Sequence, residues 1–189
     1  MPRIELSMSG RPKSRRVVGI DLGTTNSLVA YMSESGPQVI RDEQGNALVP
    51  SIVYYDTAEQ RLLVGEEARE RLITEPRKAI YSVKRFMGKG SADVQEDLAL
   101  VPFQIAAGSE HVIRFQMGDR QFTPPEISAF VLRELKERAS QFFGEEVTQA
   151  NLSATSCGRM IGAFFGSPPA ASSRKRSRRP RRANSNSMN

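Results

Sequence analysis

The sequence predicts an α/β fold, because several short strand patterns precede one long amphipathic helix. Residues 17–22, "VVGIDL", form a continuous apolar run of the kind that fills a buried central strand. Residues 27–32, "SLVAYM", follow after a turn of only a few residues, so the two segments are predicted to pair as an antiparallel hairpin. The long helix comes after the other strand patterns and is predicted between Thr123 and Gly144.

The segment after the hairpin predicts further short strands and one polar helix. Val39 and Ile40 are strand-like, Gly45 and Asn46 form a turn, and a strand runs through residues 52–54. Pro50 precedes that strand, where a missing N–H group does little harm.

Four more segments lie between this strand and the long helix. Residues 61–65, "RLLVG", predict a strand, and residues 66–72, "EEARERL", predict a helix whose acidic residues suit its N-terminus. Residues 79–86 are predicted to be helical or irregular up to Gly88. Three strand-like segments follow, at residues 101–105, 111–117 and 120–123.

The long helix has the clearest boundaries in the chain. Thr123 and Glu126 fit a capping box, and the two prolines between them lose no helical hydrogen bond in the first turn. Apolar residues recur at intervals of three and four, which predicts one buried face: Ile127, Phe130, Val131, Leu135, Ala139 and Phe142. We expect "EEVTQA" to lead toward a strand that does not form. The apolar helix face would then be partly uncovered and would favour aggregation.

Charge divides the chain into an acidic body and two basic ends. Residues 1–16 hold five Arg/Lys and one Glu and are predicted to be a flexible lead-in. Residues 17–150 hold 20 acidic and 14 basic residues and are predicted to fold. Residues 151–189 hold eight Arg/Lys and no acidic residue, and this tail is predicted to be disordered.

Composition also excludes several classes of protein. Cys157 is the only cysteine, so an internal disulfide framework is excluded. The chain has no apolar run of 18 residues and no apolar stretch behind its charged N-terminus, which argues against a membrane span and a secretory signal. A soluble, cytoplasmic protein is predicted. His111 lies on an alternating segment without a partner motif and is predicted not to be a ligand.

The turn at residues 23–26 carries the groups expected of a phosphate site. Gly23 would let a ligand approach the main chain, and the hydroxyl groups of Thr24 and Thr25 would converge on phosphate oxygens together with backbone N–H groups. Asp21, on the strand before the turn, would hold Mg²⁺ through water. The residues alone leave a second interpretation open, in which this is an ordinary buried strand and hairpin.

A family resemblance bears on this choice. "GIDLGTTNS" resembles the phosphate motif of the seventy-kilodalton heat-shock chaperones of the DnaK and HscA type, which share an actin-like, ribonuclease-H-like ATPase fold with sugar kinases and actin. Further segments resemble the same family in order and spacing over residues 17–150: "LVPSIVYY", "LLVGEEARERL", "PRKAIYSVKRFMGK" and "FTPPEISAFVLRELKERASQFFGEEVTQA". The resemblance implies the first lobe of the two-lobed ATPase domain.

The resemblance also implies roles for individual residues. Asp21 matches the residue that holds hydrated Mg²⁺, and Thr24, Thr25 and Asn26 match residues that contact the β- and γ-phosphates of ATP or ADP. Lys84 matches the lysine that positions the attacking water and stabilises charge on the transferring phosphoryl group. Phosphoryl transfer depends mainly on such positioning and cationic stabilisation.

The second lobe of the family is not matched. Its phosphate motif, its acidic metal residue, its adenosine motif and the peptide-binding domain have no counterpart after Ala150. We therefore expect weak ATP binding at best and negligible hydrolysis by this polypeptide alone. The abrupt change to an Arg/Ser/Pro-rich tail is typical of a truncated or frameshifted gene.

Three functions follow from these observations. The first is the family's ATP-driven binding and release of unfolded polypeptides, with a J-domain co-chaperone and a nucleotide-exchange factor; general folding and iron–sulfur cluster assembly both remain open. The second is a non-catalytic interaction module. The third is nucleic-acid binding through "SSRKRSRRPRR", which has seven Arg/Lys in eleven residues. A solvated tail is the preferred interpretation of that segment, so neither nucleic acid nor a membrane is an expected partner.

Overall fold

The computed structural model describes residues 13–106 and 112–152, and within them it confirms the α/β class. The strands of this part are β1 (Lys13–Asp21), β2 (Asn26–Ser33), β3 (Gly36–Val39), β4 (Val49–Pro50), β5 (Ile52–Asp56), β6 (Arg61–Val64), β7 (Ala79–Tyr81), β8 (Gln104–Ile105), β9 (Phe115–Met117), β10 (Arg120–Phe122) and β11 (Glu146–Leu152). Its α-helices are α1 (Glu66–Thr74), α2 (Gln95–Leu98) and α3 (Pro124–Phe143). Short 3₁₀ helices lie at Pro76–Lys78, Val83–Phe86 and Ser91–Val94.

The first sheet has five strands, in the order β11-β1-β2-β3, with β4 also paired to β2. β1 and β2 are antiparallel, with Val18 opposite Tyr31 and Asp21 opposite Leu28, which confirms the predicted hairpin. The other two sheets are antiparallel and have three strands each, in the orders β6-β5-β7 and β10-β9-β8.

The prediction that no strand forms after "EEVTQA" is wrong. β11 pairs in parallel with β1, from Lys13 opposite Glu146 to Ile20 opposite Leu152. Val147 is fully buried, whereas the polar residues Gln149 and Asn151 are exposed. The register of the pair shifts between Ser14 and Val17, and beyond the shift Ala150 and Leu152 are the residues of β11 that pack against the core.

The predicted lead-in is also too long at its C-terminal end. β1 begins at Lys13, four residues before Val17, and Ser14 is buried opposite Val147. The Ser14 hydroxyl accepts a hydrogen bond from the N–H group of Arg16 at 3.1 Å. These polar residues are in a strand because they pair with β11, more than 130 positions later in the sequence. The composition of a short window of sequence gives no indication of such pairing. The lead-in before Lys13 and the tail from residue 153 lie outside the described residues.

Residues 79–86, predicted to be helical or irregular, contain a strand and a helical turn. β7 pairs with β5, with Ile52 opposite Tyr81 and Tyr54 opposite Ala79. Ser82 then adopts a left-handed conformation, with φ of 53°, and the 3₁₀ helix Val83–Phe86 follows. The sequence analysis missed this strand because three residues are too few to show a period, and only the neighbouring strand β5 makes the segment extended.

Helix α3 forms with the predicted caps. Its N-cap Thr123 accepts the N–H group of Glu126, the Glu126 carboxylate accepts the N–H group of Thr123 at 2.7 Å, and Gly144 ends the helix in a left-handed conformation. Four of the six predicted stripe residues are fully buried, namely Ile127, Val131, Leu135 and Ala139. The face that we expected to be partly uncovered is therefore covered at these four positions. The other two are less covered: Phe130 is half-buried, and about half of the Phe142 surface is exposed.

One core joins α3 to the sheets. Its residues include Val18, Ile20 and Val29 of the first sheet, Val53 and Tyr55 of the second, Phe115 and Met117 of the third, and the 3₁₀ residue Phe86. The helix that carries Lys84 is therefore packed on the same core as the hairpin β1–β2. This shared core fixes where Lys84 lies relative to the turn.

Thr123→Ala is expected to lower the free energy of unfolding by about 1 kcal/mol, because it removes the acceptor for the Glu126 N–H group. Urea denaturation of the two proteins measures the difference. Glu126→Gln is the matched control, because glutamine also completes a capping box and should cost less. Equal stability of Thr123→Ala and the parent chain would show that the cap does not contribute.

No helix within the described ranges is both long enough and apolar enough to span a membrane.

Candidate functional site

The candidate site is the turn between β1 and β2, residues 22–25, with the residues that flank it. Thr24 is half-buried, and Thr25 and Asn26 are exposed. Within the described part of the chain, no hydrogen bond engages these three side chains. The two hydroxyl groups and the amide are therefore available to a ligand at the open side of the turn.

Gly23 allows the turn to close on itself. A Cβ atom at this position would lie 1.9 Å from the carbonyl oxygen of Asn26, which is backbone and cannot be displaced like the end of a flexible side chain. The sequence predicts that this glycine admits a ligand to the main chain. The structure adds a second requirement, since the turn's own backbone occupies the space that a side chain would need.

Two buried serines that sequence reasoning missed hold this turn from below. The Gly23 N–H group donates to Ser27 Oγ at 3.2 Å, and Ser51 Oγ donates to the Gly23 carbonyl at 2.9 Å. The two hydroxyl oxygens lie 2.9 Å apart. The sequence carries no signal for this contact, because 24 residues separate the serines and only the pairing of β2 with β4 brings them together.

Asp21 is the last residue of β1, so its carboxylate lies at the edge of the turn and is exposed. Among the described residues, no group of three or more His, Cys, Asp or Glu side chains lies close enough together to hold a metal ion. A cation at this turn would therefore have few protein ligands. Mg²⁺ fits such a place, because it retains much of its water shell and binds proteins through one or two carboxylates.

The structure brings Lys84 to the turn across 62 residues of sequence. Its ammonium group donates to the carbonyl oxygen of Leu22, the first residue of the turn, at 2.9 Å. Val83 and Phe86, on either side of Lys84 in the 3₁₀ helix, are buried and anchor it. A cation, a carboxylate, two hydroxyl groups and an amide thus gather around one turn of backbone, which is a suitable arrangement for phosphate oxygens and a hydrated divalent ion.

A cleft of about 860 Å³ lies between residues 41–46, the start of α1 and the end of α3. Arg138 donates to the carbonyl oxygen of Asn46 at 3.0 Å and contacts the Asp42 carboxylate at 3.4 Å, which closes the loop onto α3. Burial raises the pKa of the Glu134 carboxyl in the wall of this cleft. None of the residues predicted for the site lines it, so the cleft is not the predicted site.

His111, Cys157 and the arginine-rich segment 172–182 lie outside the described residues. The roles of Asp21, Gly23, Thr24, Thr25, Asn26 and Lys84 toward a nucleotide stay predictions, since the structure contains protein atoms alone.

A comparison with protein families gives a match to the Hsp70 family, described as Hsp70 protein, over residues 17–156. The match begins at the predicted Val17 and continues six residues beyond Ala150, where the sequence analysis placed the end of the resemblance. It covers the hairpin, the segment of Lys84, α3 and β11, and it confirms the predicted α/β ATPase lobe of actin-like type. Proteins of this family are chaperones that bind nucleotide. With well over half of its residues matched, the chain belongs to the Hsp70 family.

Proposed function

We propose that the turn at residues 22–25 is the phosphate- and magnesium-binding half of an ATP site in a chaperone ATPase. The observation that carries the proposal is the position of Lys84, whose ammonium group lies 2.9 Å from the carbonyl oxygen of Leu22 in that turn. Without the tertiary structure, Lys84 is one surface lysine among many. Beside the turn, it is a cation next to the hydroxyl groups and the carboxylate that the family resemblance assigns to the nucleotide.

The residues around the turn fit Mg²⁺ and the phosphates of ATP or ADP. Thr24, Thr25 and Asn26 would contact the β- and γ-phosphates, and Gly23 keeps the turn tight enough for them to converge. Asp21 would hold the hydrated metal ion through water, as a single exposed carboxylate can. When bound, Mg²⁺ supplies positive charge that neutralises the phosphate oxygens.

Lys84 is the proposed catalytic residue. Its present partner is a neutral carbonyl oxygen, and a phosphate oxygen would be a stronger acceptor because it is charged. Held on a packed 3₁₀ helix, the ammonium group would stabilise charge on the transferring phosphoryl group and position the attacking water.

The residues gathered at the turn would contact the phosphates from one side only. A nucleotide held from one side loses the convergence of contacts that makes binding tight and orients the reacting atoms. We therefore expect the 189-residue polypeptide, purified alone, to bind MgATP weakly and to hydrolyse it negligibly. Calorimetric titration with MgATP tests this, and an affinity in the micromolar range would contradict it.

Lys84→Met is expected to weaken MgATP binding at least about tenfold, because a hydrogen bond to a charged group contributes roughly 1.5–3 kcal/mol. Chemical shifts of the turn amides in the ¹⁵N-labelled chain, followed during a MgATP titration, report affinities even in the weak range. Arg85→Met is the matched control: it removes the neighbouring exposed cation, and its affinity should equal that of the parent chain. Equal effects of the two substitutions would mean that net charge, rather than the position of Lys84, determines binding.

The function proposed for the family domain is ATP-driven binding and release of unfolded polypeptides in the cytoplasm, assisted by a J-domain co-chaperone and a nucleotide-exchange factor. The support is the family membership together with the gathered phosphate ligands. Addition of the family's second lobe as a separate polypeptide, followed by an assay for ATP hydrolysis, would test whether this turn can form part of an active ATPase site.

The alternative is a non-catalytic interaction module, and exposed apolar side chains on the first sheet favour it. Val17, Met32 and Val39 are 46%, 74% and 40% exposed, and strand pairing places them on neighbouring strands of one sheet face. Apolar side chains that cluster on a surface mark contact sites for other proteins. Pull-down of a co-chaperone with and without ATP separates the two functions, because only the ATPase function predicts that ATP alters the amount recovered.

A further inference from the structure

We propose that Ser51 is a positioning residue for the phosphate turn, and that it acts through a closed ring of hydrogen bonds with Ser27 and Gly23. The inference rests on the proposed function, since the turn that it positions is the proposed phosphate site. Ser51 does not itself belong to that turn. It lies between β4 and β5, in a different part of the sequence.

The direction of each hydrogen bond in the ring follows from the number of protons. Ser51 has one hydroxyl proton, which it donates to the carbonyl oxygen of Gly23 at 2.9 Å. The contact of 2.9 Å between the two serines must then use the proton of Ser27. Ser27 Oγ in turn accepts the N–H group of Gly23 at 3.2 Å. The ring runs in one direction, and every donor in it has an acceptor.

The ring satisfies both polar groups of the half-buried Gly23 backbone through two hydroxyl groups that water does not reach. Ser27 is 1% exposed and Ser51 is 3% exposed, so solvent cannot replace either hydroxyl group. An unsatisfied buried donor or acceptor is destabilising, because its hydrogen bond to water is lost and not replaced. Loss of one hydroxyl group therefore favours a change in the conformation of Gly23.

A second contact links Ser51 to the same turn. Its N–H group donates to the carbonyl oxygen of Thr25 at 2.8 Å, and the adjoining strand β4 pairs with β2 at Asn26 opposite Pro50. Ser51 thus binds the turn at two carbonyl groups, those of Gly23 and Thr25. Because these two carbonyl groups are held in place, the orientation of the peptide groups between Gly23 and Thr25 is fixed as well.

The proposed consequence is pre-organisation of the phosphate ligands. Thr24 lies between the two fixed carbonyl groups, and Asn26 follows the second. Binding groups held in position before the ligand arrives lose little entropy on binding, whereas small displacements of the supporting residues weaken a site strongly. Ser51 therefore contributes to nucleotide affinity without contacting the nucleotide.

The test compares Ser51→Ala with Ser140→Ala in the full, ¹⁵N-labelled chain. Ser140 is the matched control, because it is also buried, donates to the Lys136 carbonyl at 2.9 Å and accepts the N–H group of Val147 at 3.1 Å. Both substitutions should lower the thermal midpoint. Only Ser51→Ala should accelerate hydrogen exchange of the Gly23 amide and weaken MgATP binding about tenfold, which corresponds to about 1.4 kcal/mol.

Two further variants keep the test decisive. Ser51→Thr retains the hydroxyl group and should restore slow exchange at Gly23 and most of the affinity. If Ser51→Ala does not fold, Ser27→Ala removes the other member of the ring and should give the same two effects.

The outcomes separate this inference from the proposed function. If MgATP leaves the turn amides of the parent chain unchanged, the proposed function fails, and exchange at Gly23 in the unliganded chain still tests the ring. If Ser51→Ala matches Ser140→Ala in amide exchange and in affinity, Ser51 is only a structural residue and the inference is overturned.

Discussion

Gly23→Ala is expected to abolish phosphate binding by the turn and to lower the free energy of unfolding by about 1–3 kcal/mol, the usual cost of overpacking. The added Cβ atom would lie 1.9 Å from the carbonyl oxygen of Asn26. Backbone must therefore move, and the moving segment carries Thr24 and Thr25. The two effects have one cause, because the same displacement breaks the packing of the turn and separates the proposed phosphate ligands.

The measurement combines urea denaturation with a MgATP titration followed through the turn amides. Gly19→Ala is the matched control, since Gly19 lies in β1 shortly before the turn and its added Cβ atom meets only the Ala30 carbonyl oxygen, at an ordinary 3.9 Å. The control should retain MgATP binding and most of the stability. A Gly23→Ala chain that binds MgATP as tightly as the control would refute the assignment of the site to this turn.

Phe86→Ala is expected to lower the free energy of unfolding by about 3–5 kcal/mol, the largest loss among these substitutions. Phe86 is 1% exposed, and its ring lies edge-on to Phe103 at 6.0 Å and to Phe115 at 5.2 Å between centroids. Its removal opens a cavity in the shared core. It also loosens the 3₁₀ helix that carries Lys84, so the ammonium group should leave the Leu22 carbonyl.

Urea denaturation gives the stability, and amide shifts near Leu22 report whether Lys84 has moved. Phe142→Ala is the control, because that side chain is about half exposed and its removal leaves no closed cavity. Phe86→Leu retains most of the apolar volume and keeps the test informative if the alanine variant does not fold. A loss from Phe86→Ala no larger than that from Phe142→Ala would contradict the packing described.

Local signals explain what the sequence predicted correctly. The hairpin was predicted from an apolar run, a short turn and a second apolar run that follow one another directly in the sequence. The caps of α3 depend on Thr123, Glu126 and Gly144, whose preferences come from hydrogen bonds and dihedral angles within one helical turn. The candidate ligands in the turn were also visible, because their chemistry belongs to the side chains themselves.

Long-range pairing explains what the sequence predicted wrongly or missed. β11 and the first residues of β1 are mostly polar, and they are strands because they pair with each other across more than 130 positions. β7 is extended because β5 lies beside it. Strand structure depends on the neighbouring strand and the buried face more than on intrinsic preference, so short windows of sequence do not contain it.

For the site, the sequence by itself determined the chemical groups: the carboxylate of Asp21, the hydroxyl groups of Thr24 and Thr25, and the cation of Lys84. The tertiary structure alone decided that Lys84 reaches the turn and that Ser27 and Ser51 support it from beneath. The physical reason is the length of chain between the partners. The contact of Lys84 with Leu22 spans 62 residues, and only the packing of the shared core brings these two residues together. The contacts of Ser51 with Ser27 and with Gly23 span 24 and 28 residues, and they depend on the pairing of β4 with β2.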